Sequence, residues 1–127
     1  MSRNYKSILS AALVTVLIFV LAGGAMAISK SVSLTTSDWE AFSDRVSSGS
    51  AHSYGYNHST SARDVDVTLQ YSDGSSWKAV HVERMEPGIS ETTPTYNLAN
   101  ALWRTRLNVV GIFWPTGCTA SGSVYDY

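Results

Sequence analysis

From Arg63 to Tyr71 apolar and polar side chains alternate without a break. Val65, Val67, Leu69 and Tyr71 fall on one side of an extended chain, and Asp64, Asp66, Thr68 and Gln70 on the other. A period of two is the mark of a half-buried strand. Ser72-Asp73-Gly74-Ser75-Ser76 follows, with Asp-Gly supplying the positive-φ turn position. Trp77 to Met85 then reads as a second strand with Val80 and Val82 on a shared face, stopped by Glu86-Pro87-Gly88. This hairpin is expected at the centre of the fold. A third alternating run spans Leu102 to Val110, where Trp103, Thr105, Leu107 and Val109 interleave with Arg104, Arg106 and Asn108. One face therefore looks inward and the other meets water. Shorter signals open the domain at Ser31 to Thr35, through Val32 and Leu34, and close it at Ser121 to Tyr127, through Val124 and the two tyrosines.

One segment breaks the pattern. Ser37 with Glu40 three residues on matches a capping box, and Trp39, Phe42 and Val46 fall at helical spacing, so a short helix over residues 37–46 is expected. Taken together, the runs predict an all-β fold, a single small antiparallel β-sandwich or flattened barrel of about six strands. Its expected core is Val65, Val67, Leu69, Val80, Val82, Trp103, Leu107 and Val109.

The first 27 residues carry a different pattern. Arg3 and Lys6 precede an apolar run from Ala11 to Leu21, then two glycines and the small-residue triplet Ala25-Met26-Ala27. That order matches a secretory signal peptide cleaved after Ala27, which makes the product secreted, or at least extracytoplasmic. Extending the run to residues 8–28 leaves an uncleaved membrane anchor open. Residues 28–127 then form one secreted domain of 100 residues, a common size for a single core. It keeps seven basic side chains against ten acidic ones, a formal charge of −3. A phosphate-backbone binder needs a concentrated basic face and a membrane-lytic peptide needs cations, so no nucleic-acid partner is expected, and a membrane partner only if the signal is retained. The one cysteine, Cys118, cannot build a disulfide framework within a monomer, the expected state. It reads as a small buried hydrophobe.

Candidate chemistry concentrates between Ser50 and Thr60. If Ala51 to Ser59 is extended, His52, Tyr54, Tyr56 and His58 project to one side. Such a stripe can stack on sugar rings or peptide, cover one face of a sheet, or, with a third ligand such as His81, hold a metal. The ligand-binding reading is placed on these four residues, with no metal and no cofactor expected. A secondary contact is expected in the aromatic pair Phe113 and Trp114, just before Pro115. Asp64 and Asp66 lie two apart on one strand face, a solvated arrangement more than a glycosidase pair. Asn57-His58-Ser59 fits the N-glycosylation sequon. No nucleophile elbow, phosphate loop or dinucleotide fingerprint occurs.

The run Tyr54-Gly55-Tyr56-Asn57-His58, followed by Ser61-Ala62 and a valine-rich strand, resembles the small exported bacteriocins of the lactococcin type. The resemblance implies a compact β-sandwich. It covers a short part of the domain, and no residue roles are carried across. The expected function is a secreted, non-enzymatic binding or cell-envelope-associated module whose partner is an extracellular glycan, peptide or protein. A secreted antimicrobial protein is the alternative, and a small extracellular hydrolase the third reading.

Overall fold

The computed structural model describes residues 28–111 and 115–126, so the apolar N-terminal stretch and the Phe113/Trp114 pair lie outside the described residues. Among the described residues there are eight antiparallel strands: β1 (Ser29–Leu34), β2 (Glu40–Phe42), β3 (Val46–Asn57), β4 (Val65–Ser72), β5 (Trp77–Met85), β6 (Ser90–Thr92), β7 (Tyr96–Val109) and β8 (Ala120–Asp126). They run in the order β1-β8-β3-β7-β4-β5, with β2 added to β7 and β6 added to β3. The sheet becomes two layers because its two longest strands each change partner midway. The first half of β3 pairs β7, from Val46↔Trp103 to Ala51↔Tyr96, and its second half pairs β8, from Ala51↔Asp126 to Asn57↔Ala120. The second half of β7 pairs β4 instead. One layer is thus β1-β8-β3-β6, the other β2-β7-β4-β5, and the expected antiparallel β-sandwich is what forms. The two strands beyond the expected six are β2 and β6, three residues each, too short to carry a periodic signal. The β4–β5 hairpin is not central: β5 ends the strand path.

The layers meet along the apolar faces that alternation marks. Val32, Leu34 and Ala120 from one layer pack with Val65, Val67, Met85, Leu107 and Val109 from the other. Where β3 and β7 pair, a second cluster gathers Val46, Ala51, Leu69, Ala101, Trp103 and Val124. The Trp103 indole N–H donates to the Ser48 carbonyl at 2.8 Å, so its polar edge is satisfied inside the core. Val82 departs from expectation. Leu69 pairs His81 while the next residue, Gln70, pairs Ala79, which leaves Val80 in a bulge. The bulge turns Val80 toward the second cluster and leaves Val82 opposite Thr68 on the outer side, 51% exposed. A one-residue offset exchanges faces because the side-chain period is two.

Residues 37–46 are not helical either. The Asp38 carboxylate accepts from the Thr35 amide at 2.9 Å and the Thr35 hydroxyl at 2.8 Å, closing a turn one residue after Ser37. These bonds hold its carboxyl below the usual carboxylate range. Glu40, which a capping box would aim back at a backbone amide, instead accepts from Arg106 at 2.9 Å and enters β2 beside Asn108. The strand sends Phe42 outward. Local capping chemistry lost to a strand edge that needed a partner.

Two glycines let the layers close. Gly55 and Gly122 pair across β3 and β8. A Cβ on Gly55 would stand 2.8 Å from the Val67 Cβ and 3.0 Å from the Met85 thioether, and one on Gly122 would stand 3.0 Å from the Tyr54 carbonyl and 3.2 Å from Leu107. Beside them the layers are tied by a buried hydroxyl pair, Ser53 Oγ to Thr105 Oγ1 at 2.6 Å. Cys118 is a free, fully buried thiol, which matches its reading as a small hydrophobe.

Candidate functional site: the outer face of β3

The second half of β3 alternates as expected. Ser53, Gly55 and Asn57 are buried between the layers, while His52, Tyr54 and Tyr56 project outward, half-buried, and His58 continues the row past the strand end. Small inward residues let the strand approach the opposite layer, and large outward ones cover it. The strand is interior to its layer. Tyr54 has Ser123 of β8 on one side and Thr92 of β6 on the other; Tyr56 has Ser121 and Ser90. The four residues singled out from sequence therefore share one face. The structure adds Tyr125, cross-strand partner of His52, whose ring stacks on the imidazole at 5.1 Å between centroids with 13° between planes. At the other end Tyr56 and His58 meet at 5.2 Å, tilted by 33°. By sequence alone Tyr125 groups with Val124 in the closing run. The alternation Ala120, Gly122, Val124 inward against Ser121, Ser123, Tyr125 outward is the signal that separates them.

The surroundings of the stripe are hydroxyls. On β1, Val32 and Leu34 point inward, so Ser31 and Ser33 face out, and Ser31 Oγ lies 3.2 Å from Ser123 Oγ. The outer face of the other layer is charged. Arg84 grips Asp66 at 3.0 Å and Arg106 grips Glu40 at 2.9 Å. Between them the Arg104 guanidinium lies 4.1 Å above the Phe42 ring and 4.2 Å from the Trp77 ring, with Nε donating to Gln70 at 2.8 Å. Burial lowers its pKa, and two aromatic faces offset part of that desolvation. Burial also moves His52, whose pKa is lowered for that reason. The imidazole stacked on Tyr125 therefore resists protonation.

His81, considered from sequence as a third metal ligand, sits on β5. Its Nδ1 shares a hydrogen bond with the Tyr96 hydroxyl at 2.9 Å and its Nε2 with Glu83 at 2.7 Å. The set places a phenol against a base that a carboxylate orients, and it fastens β5 to β7. Among the described residues no cluster of three or more histidine, cysteine or carboxylate side chains could hold a metal. Asn57 does not present a glycosylation site: it is fully buried, and its Nδ2 donates to the carbonyls of Arg63 and Met85 at 2.9 and 3.0 Å. A depression of about 300 Å³ lies elsewhere, lined by residues of the β4 end and the start of β7, including Tyr71, Asp73, Leu98 and Asn100. Its carboxylate, Asp73, is engaged by Ser75, so no free polar group converges there from that residue.

Comparison with known proteins adds little. No family model matches the chain, and no curated protein matches it. Among solved structures it is similar to the Yersinia pseudotuberculosis-derived mitogen, at 10% identity and a TM-score of 0.45, over 79% of this chain and 84% of that one.

Proposed function

We propose that the protein is an extracytoplasmic, non-enzymatic binding module that meets its partner through the outer face of β3, at His52, Tyr54, Tyr56 and His58. One observation carries the reading: His52, Tyr54 and Tyr56 project in a row from one interior strand, half-exposed, and His58 continues the row past its end. Tyrosine gives large, rigid contact area with little rotamer entropy to lose, and its hydroxyl tolerates water when no partner is present. The signal-like N-terminus supports the location, and the domain's acidic balance supports a partner that is not a polyanion.

Retention of the purified protein on an insoluble cell-envelope preparation of its own organism tests this. Wild type and Val82→Ala, altered on the opposite outer face, are expected to be retained alike, and Tyr54→Ala/Tyr56→Ala to be released while keeping the wild-type melting profile. Equal retention of a folded tyrosine variant would move the site elsewhere, and clearing of growth around a spot of protein would favour the antimicrobial alternative.

A further inference from the structure

We infer that the partner is a neutral polysaccharide, laid across the whole outer face of the β1-β8-β3-β6 layer. The inference rests on the binding role proposed above for β3. Its own evidence is the chemistry of that face. The outward positions of β1, β8, β6 and the second half of β3 carry a hydroxyl or an imidazole, and none carries lysine, arginine, aspartate or glutamate. The charged residues of these strands fall at the alternate positions, with Glu91 paired to Gly55, Asp126 to Ala51 and Lys30 to Val124; Lys30 and Glu91, on the outermost strands of the layer, keep access to water. With two ion pairs, Arg84–Asp66 and Arg106–Glu40, on the opposite outer face, an uncharged face across four strands sets the partner's charge. It excludes acidic and basic polymers, whose binding would leave their charges without counterparts.

Among uncharged partners, the topology favours sugar over peptide. A peptide commonly adds to a sheet edge, where backbone groups are free. Here the aromatic row stands on an interior strand whose backbone is paired on both sides, to β8 and β6, so recognition must come from side chains alone. A sugar ring offers what these side chains fit: a C–H face for the tyrosine rings and a rim of hydroxyls for Ser121, Ser123, Ser90 and Thr92. Tyr54 and Tyr56 stand two residues apart, roughly 7 Å along the strand, and form successive platforms. Tyr125, held flat against His52, extends them onto β8. The open face suits a chain laid along it, whereas a small molecule would need a cavity. Burial lowers the His52 pKa, which favours its neutral form on this face.

The test is affinity co-sedimentation with insoluble glucan, chitin and mannan, with polygalacturonate and with protein-coated beads, at low and high sodium chloride. The expected result is binding to at least one neutral polysaccharide, unchanged by salt and competed by its soluble oligosaccharide. Tyr54→Ala/Tyr56→Ala should bind about tenfold more weakly, and Tyr125→Ala should weaken the same binding while the Val82→Ala control does not. Binding confined to polygalacturonate, or to protein beads, overturns the neutral-glycan inference; if the tyrosine variant loses that binding too, the β3 site itself stands. Failure to bind any of the matrices, with envelope retention intact and resistant to glycan-cleaving enzymes, overturns the inference alone. Loss of envelope retention as well removes the proposed binding role.

Discussion

Gly55→Ala isolates the close approach on which the binding face rests. The new Cβ would lie 2.8 Å from the Val67 Cβ and 3.0 Å from the Met85 thioether. Met85 can swing its flexible end away, but the Val67 Cβ is fixed to β4, so β3 must lift from the opposite layer. Overpacking of this kind costs about 1 to 3 kcal/mol, and the lower unfolded-state entropy of alanine returns about 0.4 to 1 kcal/mol. Against Gly49→Ala, which carries the same entropic gain, the loss is the full overpacking cost of about 1 to 3 kcal/mol, which for a domain this size lowers the midpoint of thermal unfolding by about 4 to 24 °C. Gly49→Ala is the matched control, because nothing lies within 4 Å of a Cβ built there. The assay is thermal unfolding of the two variants beside wild type, followed by circular dichroism. If Gly55→Ala melts with Gly49→Ala, the layers do not pack at the glycine pair as described, and the reasoning that ties inward small residues to the outward tyrosines fails.

Two further outcomes follow from buried polar groups. Burial lowers the His52 pKa, so as pH falls through about 6.5 the unfolded chain takes up the proton first. Stability contributed by neutral His52 is therefore present above that pH and declines below it, toward the lowered folded value. Urea unfolding of wild type and His52→Gln at pH 7.5 and 5.5 should show a smaller acid loss for the variant; equal losses would contradict the assignment. Ser53→Ala removes the 2.6 Å link to Thr105 and leaves a buried hydroxyl short of a partner, at a cost of about 1 to 3 kcal/mol. Ser53→Ala with Thr105→Val should recover part of it, measured as a double-mutant cycle in urea.

How much of this could be read from the chain depended on where the information lies. The inward faces of β4 and β7 were legible because Val65, Val67 and Leu69, and Trp103, Leu107 and Val109, repeat with the strand period, and the β3 stripe was legible for the same reason. Val82 was misplaced because the bulge at Val80 leaves no periodic trace. The helix over residues 37–46 was expected because Ser37 and Glu40 satisfy a local rule, whereas Glu40 answers to Arg106, 66 residues away. Tyr125 joins the stripe through pairing between β3 and β8, a long-range contact that spacing does not encode. The Phe42–Arg104–Trp77 stack and the Glu83–His81–Tyr96 set were hidden similarly, since each joins residues from different strands.

The most direct test of the binding face needs no substitution. Hydroxyl-radical footprinting of the intact protein, free and adsorbed to its envelope preparation, reports the exposure of each aromatic side chain by mass spectrometry. The account predicts that adsorption protects Tyr54, Tyr56 and Tyr125 and leaves Phe42 and Trp77, on the opposite layer's outer face, oxidised as in the free protein. Protection of Phe42 and Trp77 with Tyr54 and Tyr56 still open to oxidation would contradict it.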